Sequence, residues 1–237
     1  MSLTVAILAL DEADRIGEAI RSASFADEVL VLDAGSRDGT AATARGLGAR
    51  VLETDWPGFV AQRNRALRES QGRRVFFLDA DERISPALAR SLRSATGAGR
   101  VRRRNHWLGK PIAGGCFGPS WILRLTPKEG AEWRGQGVHE ILHSRARVRD
   151  LEGVLEHHPY RNLDEHLATI DRYATLFALH DPRRARWWDV AFRPPLHFVK
   201  SYLLLAGFRD GVAGLVLAWL GAAHVALKWG RLYLRPR

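Results

Sequence analysis

Two aspartates that follow an uninterrupted apolar run are the side chains best placed to do chemistry. Asp79 and Asp81 come after residues 75–78, which read Val-Phe-Phe-Leu. Such a run is typical of a strand buried on both faces of a parallel sheet. Because residues two apart point the same way in extended backbone, the two carboxylates project from one side of the strand end. This arrangement suits a divalent cation that also binds phosphate oxygens. The alternative is a solvated acidic turn.

Asp33 and Arg63 are candidates for binding a nucleotide. Asp33 ends the apolar run 29–32, so it can face the same crevice as Asp79 and accept hydrogen bonds from a base or a ribose. Simple turn chemistry is the alternative, because Asp-Gly follows at 38–39. Arg63 lies in an otherwise amphipathic helical segment and could reach a diphosphate. A solvated helix face is the equal alternative there.

Glu140 and His157 are candidates for a general base and a metal ligand. Glu140 follows a glycine-containing turn, and a loop glutamate can remove a proton from a hydroxyl. No second histidine lies four residues beyond His139, so this is not a zincin motif. His157 ends an alternating apolar segment, where a histidine is more often structural. The two aspartates nevertheless make it a candidate third metal ligand.

The glycines and the single cysteine exclude several classes of protein. No Gly-x-Gly-x-x-Gly pattern follows a strand, and no lysine-containing phosphate loop is present, which argues against dehydrogenases and P-loop enzymes. Cys116 is the one cysteine in 237 residues. It cannot form an intramolecular disulfide or a cysteine zinc cluster, and a reducing compartment is indicated.

Strand and helix patterns alternate with short connections through about residue 95. This alternation predicts an α/β fold with a doubly wound, mostly parallel sheet. Ser85 and Pro86 predict a helix start, as N-cap and first helical residue. Glycines punctuate residues 97–160, which predicts an irregular, loop-rich half with short strands. Residues 162–180 have the apolar spacing of a further helix.

The end of the chain combines positive charge with apolar and aromatic residues. Residues 183–237 carry ten Lys or Arg and two Asp, a net charge of +8, whereas residues 1–182 carry a net +2. We therefore divide the chain into domains 1–182 and 183–237. The pairing of charge with Trp and Leu favours an anionic membrane surface over a nucleic acid. Residues 211–227 lack formal charge but are short for a spanning helix, so a helix lying in the membrane interface is favoured. The alternative is a helical pair packed on the domain.

With these elements in place, the chain resembles the family 2 glycosyltransferases, and within them the bacterial lipopolysaccharide core-type enzymes. The resemblance covers nearly the whole chain and rests on the order and spacing of several motifs. They are Val-Leu-Asp-Ala-Gly-Ser-Arg-Asp-Gly-Thr at 31–40, Trp-Pro-Gly-Phe at 56–59, Gln-Arg-Asn at 62–64, Leu-Asp-Ala-Asp-Glu at 78–82, Gly-Gly at 114–115, Val-His-Glu at 138–140, Leu-x-Gly-x-Leu-x-His at 151–157 and Phe-Val-Lys-Ser-Tyr at 198–202.

The resemblance implies a GT-A fold, Rossmann-like with helices on both faces of the sheet, followed by a basic amphipathic helical tail. It also implies a nucleotide-sugar donor, with a UDP-sugar favoured, bound together with Mg²⁺ or Mn²⁺. Two departures affect the expected base and ribose contacts: Leu-Asp-Glu replaces the common Tyr-Asn-Glu after the first strand, and Ala34 stands where Ser is frequent. The implied site residues are Glu140 as catalytic base; Asp11, Glu12, Asp33, Arg63, Asp79, Gly114 and Gly115 at the nucleotide-sugar; and Asp81, His157 and Asp79 at the metal.

The function implied is inverting transfer of a hexosyl or heptosyl group to a hydroxyl of a membrane-associated glycan or glycolipid, as in lipopolysaccharide core synthesis. The enzyme would be cytoplasmic and peripheral on the inner face of the cell membrane, without a nucleic-acid partner. One alternative is a polyprenyl-phosphate glycosyltransferase, which shares the donor site. A second, from another class, is a non-catalytic membrane-surface scaffold on the same fold.

Overall fold

The computed structural model describes residues 2–136 and 139–235. The chain forms two compact units, which we describe separately. The first unit contains residues 1–103 and 120–157, and the second contains residues 104–119 and 158–237. Val138 of the Val-His-Glu motif lies outside the described residues. The domain boundary at 182 stays a prediction.

The first unit follows the alternation of strands and helices predicted for the amino-terminal half. Its helices are α1 (Ile16–Ser22), α2 (Thr40–Gly46), α3 (Phe59–Glu69) and α4 (Pro86–Ser94). Its strands are β1 (Leu3–Ala9), β2 (Glu28–Asp33), β3 (Arg50–Glu53), β4 (Arg74–Asp79), β5 (Glu82–Ile84), β6 (Ala98–Trp107, which continues into the second unit), β8 (Ser120–Pro127), β9 (Ala131–Gln136), β10 (His139–Ser144) and β11 (Val148–His157).

The central sheet has the order β3-β2-β1-β4-β8-β6-β11-β5, and its first four strands are parallel. Strand β4 shows how both faces are covered. Phe76 and Leu78 pack in one hydrophobic cluster with side chains of α1, α2 and α4, whereas Val75 and Phe77 pack in another with side chains of α3. Alternate residues of an extended strand point to opposite faces, so the unbroken apolar run reflects burial on both sides. The predicted α/β fold class is confirmed.

The prediction of short strands in a loop-rich half at 97–160 is wrong. Strands β6, β8 and β11 have 10, 8 and 10 residues and extend the sheet. In β6 the exposed residues Arg100 and Arg102 alternate with the buried residues Gly99 and Val101. Long basic side chains on the solvent face conceal this period-two pattern in the sequence. The hairpin of β9 and β10 forms a separate two-stranded sheet.

The second unit is mainly helical. It contains β7 (Lys110–Pro111), α5 (Leu163–His180), α6 (Trp187–Val199), a π-helical turn (Lys200–Leu204), a 3₁₀ turn (Gly207–Asp210) and α7 (Val212–Leu234). Pro194 and Pro195, residues that usually end a helix, lie in the interior of α6. Each proline removes one helical hydrogen bond. The helix continues because it packs along α7, where the Arg193 guanidinium lies 4.2 Å from the centre of the Trp229 ring.

Candidate active site

Asp79, at the end of β4, is held between two arginines. Nη2 of Arg63 on α3 donates to its Oδ1 at 2.9 Å, and Nη2 of Arg124 on β8 donates to its Oδ2 at 2.7 Å. The two arginine residues are only 4% and 6% exposed. Burial acts to raise the pKa of Asp79, but the positive charges of Arg124 and Arg63 outweigh it and hold that pKa well below its ordinary value. Asp79 is therefore ionised at neutral pH.

Glu82 is the second carboxylate of this cluster and is fully buried. Its Oε1 accepts from Nη2 of Arg124 at 3.1 Å, and its Oε2 accepts from the backbone N–H of Asp79 at 3.0 Å. Burial raises the pKa of Glu82, and the neighbouring Asp79 raises it further against the opposing charge of Arg124. Glu82 thus fixes the backbone at the strand end where the acidic motif begins.

Arg63 also reaches Glu140 on β10. Its Nε lies 3.4 Å from Oε1 of Glu140, and its guanidinium lies 4.6 Å from the centre of the Trp133 ring. Asn64 holds Trp133 in place, because its side-chain amide donates to the Trp133 carbonyl and accepts from the Trp133 N–H, both at 2.9 Å. One guanidinium therefore connects the strand-end aspartate with the predicted base.

Several polar atoms in this cluster are buried without a hydrogen-bond partner among the described residues. They include Nη1 of Arg63, Nη1 of Arg124 and Oε2 of Glu140. Buried polar atoms are normally paired, and unpaired ones require an explanation such as a bound ligand. The two unpaired guanidinium nitrogens can donate hydrogen bonds to anionic oxygens, such as those of a diphosphate. The unpaired carboxylate oxygen can accept a proton or a hydroxyl hydrogen bond.

Asp81 and His157 meet at the other side of the acidic motif. Strand β5 pairs antiparallel with β11, which places Oδ2 of Asp81 3.3 Å from Nε2 of His157. Among residues 2–136 and 139–235, no group of three or more His, Cys, Asp or Glu side chains is arranged to hold a metal ion. One oxygen and one nitrogen donor fit a cation that completes its coordination with phosphate oxygens and water. Asp79 as a third ligand stays a prediction, since both its oxygens accept from arginines.

Asp33 ends strand β2, whereas Asp11 and Glu12 lie in the loop after β1, and hydrogen bonds connect the two segments. Asp33 is buried, and its carboxylate accepts from the Ser36 hydroxyl and, at 3.0 Å, from the Ser36 N–H. Oδ1 of Asp11 accepts from the N–H of Arg37 at 2.8 Å, and the N–H of Glu12 donates to Oγ1 of Thr40 at 2.8 Å. The structure therefore gives Asp33 the turn role that the sequence left as an alternative. Nucleotide contacts by these three acids stay a prediction.

Gly114 and Gly115 belong to the second unit. The Gly114 N–H donates to Oδ2 of Asp210 and the Gly115 N–H donates to the Leu205 carbonyl, both at 2.8 Å. A Cβ atom at Gly114 would lie 2.4 Å from the Ala206 carbonyl oxygen, so only glycine fits there. The two glycines attach their loop to the helical segment, and their predicted contact with a nucleotide-sugar stays a prediction.

Sequence reasoning missed Arg124 and treated the segment around Arg63 as one that could be solvated. The solvated-face alternative is wrong, because Gln62 is fully buried beside Arg63. Arg124 had a detectable signal, since it is the one charged residue in the apolar stretch 121–125. A charge inside a buried strand requires a partner, and here the partners are Asp79 and Glu82.

Comparison with known proteins identifies the amino-terminal part of the chain. Residues 4–100 match the model of the family described as Glycosyl transferase family 2. These residues are similar to family 2 glycosyltransferase domains. The matched residues include Asp33, Arg63, Asp79 and Asp81. Strands outside the matched residues supply Arg124, Glu140 and His157, so the cluster depends on both parts of the first unit.

Similarity to a known protein also extends beyond residues 4–100, over nearly the whole chain. The lipopolysaccharide core biosynthesis glycosyltransferase LpsC of Rhizobium meliloti is 29% identical, with 99% of this chain and 93% of that protein covered. The glucosyl-3-phosphoglycerate synthase of Mycolicibacterium paratuberculosis is 38% identical, but over only 34% of this chain and 28% of its own length. The chain thus spans nearly all of LpsC and less than a third of the synthase.

Solved structures similar to this chain include glucosyl-3-phosphoglycerate synthase from Mycobacterium tuberculosis in complex with Mn²⁺, UDP and phosphoglyceric acid. That structure is 23% identical, has a TM-score of 0.47 and covers 75% of this chain and 78% of its own. Mannosyl-3-phosphoglycerate synthase from Rubrobacter xylanophilus is 28% identical over 44% of this chain and 40% of its own, with a TM-score of 0.38.

Proposed function

We propose that this protein transfers a sugar from a nucleotide-sugar, with UDP as the favoured nucleotide, to a hydroxyl of a membrane-associated glycan or glycolipid of the lipopolysaccharide core type. The observation that carries the proposal is the group of buried, unpaired polar atoms of Arg63, Arg124 and Glu140. Glycosyl transfer requires hydrogen-bond donors that stabilise the departing diphosphate and a base that accepts the proton of the acceptor hydroxyl. The two arginines and Glu140 offer these groups. The relationship to LpsC over the whole chain favours this acceptor class.

Asp81 and His157 would hold Mg²⁺ or Mn²⁺ in this site. When bound, the cation supplies positive charge to the departing diphosphate. Arg63 and Arg124 add two guanidinium groups that need little reorganisation, because Asp79 already fixes both. Asp79 thereby acts as an orienting residue for the arginines, in addition to its proposed contacts with the ribose or the metal.

Glu140 would act as the base. Its Oε2 accepts the proton of the acceptor hydroxyl while the acceptor oxygen bonds to the anomeric carbon and the bond to the nucleoside diphosphate breaks. Attack from the face opposite the leaving group inverts the anomeric configuration. Arg63, whose Nε lies 3.4 Å from Oε1 of Glu140, orients this carboxylate before the reaction.

Donor binding by the purified protein tests the proposal. UDP-, GDP-, ADP- and dTDP-sugars are compared by thermal unfolding with and without Mn²⁺. A donor present at a hundred times its Kd stabilises the folded state by about 2.7 kcal/mol. We expect this stabilisation for one nucleotide and only with the metal. Absence of stabilisation by every donor, from folded protein, would favour the scaffold function.

The variants Arg63→Met and Arg65→Met form a matched pair for the same assay. Both lie on α3, but Arg65 is 37% exposed at its side chain and reaches only Asp55, at 3.8 Å. We expect Arg63→Met to abolish donor binding and Arg65→Met to leave it unchanged. Equal donor affinity in the two variants would contradict the role given to Arg63.

Membrane association is the second part of the proposal. Of 25 exposed large hydrophobic side chains among the described residues, 18 lie between residues 163 and 234. They include Leu204, Val212 and Leu234, each exposed by more than 70%. Helix α7, with 23 residues and a mean hydropathy of 1.5, is long and apolar enough to cross a membrane by length and composition. Because it packs along α5 and α6, we favour a helix lying in the interface of the inner leaflet.

Vesicle flotation measures this association. We expect binding to vesicles with anionic lipid, weakened by salt, and a loss of at least about tenfold in the double variant Leu204→Ser and Phe208→Ser. Trp121→Ser is the control, since Trp121 is 49% exposed but lies in the first unit. Binding that survives alkaline carbonate would instead indicate a spanning helix and favour a polyprenyl-phosphate acceptor.

A further inference from the structure

A cavity of about 230 Å³ lies within the second unit, lined by its three helices and the loop that carries Gly114 and Gly115. A single buried water needs only about 10–15 Å³. The cavity therefore has room for a small organic ligand. Its polar and aromatic lining includes His166, His197, His224, Tyr160, Tyr173 and Ser201.

The lining contains aromatic faces and polar groups but no Asp, Glu, Lys or Arg among the described residues. Tyr160 stacks on His166 with ring centres 3.9 Å apart, and Phe117 lies parallel to Tyr160 at 6.1 Å. Nothing in the lining would compensate a phosphate or a carboxylate. The composition therefore favours an uncharged ligand.

The three imidazoles are neutral near pH 7. Burial, with a smaller contribution from the nearby His224, lowers the pKa of His166 to about 4. Burial also lowers the pKa of His197 and of His224, with smaller effects from nearby lysines. Nδ1 of His166 accepts from the Trp107 indole N–H at 3.1 Å, so its own proton is on Nε2. A neutral imidazole offers one donor and one acceptor, which matches the two capacities of a hydroxyl group.

Close backbone packing builds the cavity. A Cβ atom at Gly214 would lie 1.8 Å from the Gly207 carbonyl oxygen, and one at Gly221 would lie 2.6 Å from Nε2 of His197. The N–H of Cys116 donates to the Ser201 hydroxyl at 3.0 Å. The lining side chains are thus positioned before any ligand arrives, as in most small-molecule sites.

We propose that this cavity binds an uncharged sugar residue, whose ring packs on the aromatic side chains and whose hydroxyls pair with His166, His197 and His224. Resting on the proposed function, we assign that sugar to the acceptor glycan. An apolar chain is disfavoured, because it would leave the imidazole donors and acceptors buried and unpaired. Sugars that carry phosphate or carboxylate groups are disfavoured by the uncharged lining.

Imidazole NMR signals of the full chain test the proposal without any donor. Methyl glycosides of glucose, galactose, mannose, N-acetylglucosamine and heptose are titrated, with glucose 1-phosphate as the charged competitor and decanol as the apolar one. We expect at least one methyl glycoside to shift the signals of His197 and His224 saturably, and neither competitor to do so. Saturable shifts by decanol or glucose 1-phosphate alone would overturn the assignment.

Two variants separate the cavity from the rest of the protein. Gly221→Ala displaces His197, and His224→Leu removes one hydrogen-bonding partner, so each should weaken glycoside binding at least tenfold. His180→Leu is the control, because His180 is exposed at the end of α5. Unchanged glycoside affinity in both folded cavity variants would refute the proposal.

A measurement of donor binding distinguishes failure of the cavity proposal from failure of the proposed function. The cavity variants should retain metal-dependent donor stabilisation and lose transfer to the acceptor. Glycoside binding without donor binding in the wild type would leave the cavity assignment standing and overturn the proposed function. Normal transfer by both cavity variants would show that the bound sugar is not part of the acceptor.

Discussion

The two units of this protein assemble polar side chains in opposite ways. In the first unit, the buried Arg124 lies between two carboxylates, the ionised Asp79 and the fully buried Glu82. In the second unit, His166 and His224 are kept uncharged around a cavity. Burial disfavours the charged form in both places, and at Asp79 the charges of Arg124 and Arg63 outweigh that effect. The contrast indicates which region suits an ionic ligand and which suits a neutral one.

The largest effect that separates the two regions should come from Asp81→Ala. This change removes one of the two donors proposed for the cation, so we expect transfer to fall by at least about a hundredfold while thermal unfolding stays unchanged. The kcat for transfer is measured at saturating donor. Asp55→Ala is the control, because the Asp55 side chain is 88% exposed. Wild-type rates in Asp81→Ala would remove the metal assignment.

Arg124→Met tests whether the charges of the first unit depend on one another. It leaves the fully buried Glu82 without its nearest positive charge and Asp79 with Arg63 alone, and we expect a loss of about 3–5 kcal/mol in the free energy of unfolding. Arg100→Met is the control, since the Arg100 side chain is 50% exposed in its pair with Asp150 and should cost less than about 1 kcal/mol. Chemical denaturation measures both. A small loss in Arg124→Met would show that the buried cluster tolerates an unpaired carboxylate.

The pH dependence of stability sharpens the same comparison in the second unit. The pKa of His166, lowered to about 4 in the folded protein, is below its ordinary value near 6.5. Its contribution to stability is therefore present above about pH 6.5 and is lost as pH falls towards 4, with a size of up to about 3 kcal/mol. His166→Asn should flatten this dependence in denaturation between those pH values. His180→Asn, at an exposed position, should not; an unaltered pH profile in His166→Asn would contradict the pKa shift.

Ionic strength should produce the smallest effect, and in one region only. Raising NaCl from roughly 50 mM to roughly 500 mM should weaken donor binding a few-fold, because Arg63 and Arg124 attract an anion. Methyl glycoside binding in the second unit should change by less than about twofold, because no charge lines the cavity. Calorimetric titration measures both affinities. Equal salt sensitivity would remove the distinction between an ionic and a neutral site.

The sequence predicted the fold where local and global signals agree. The apolar run before Asp79 and the cap formed by Ser85 and Pro86 marked elements that the structure contains. The long strand β6 was missed because exposed arginines mask its alternation. Helix α6 was missed because two prolines usually end a helix, and its packing against α7 depends on residues distant in sequence.

The candidate site was predictable in its acids and in Arg63, but not in Arg124. Strand-end position singled out Asp79 and Asp81, and antiparallel pairing then brought His157 to Asp81. The partnership of Arg63 with Arg124 requires knowing that β8 lies beside β4, which no local pattern reveals. The uncharged cavity could not be inferred at all, since its histidines come from three separate helices.

Cys116 gives the second unit an experimental advantage. It is the one cysteine of the chain, its residue is exposed, and it lines the cavity. A thiol-reactive fluorophore would therefore attach at a single position without any other cysteine having to be replaced. Its emission would report the polarity beside the imidazoles, and quenching on ligand entry could be followed in real time at micromolar protein concentrations.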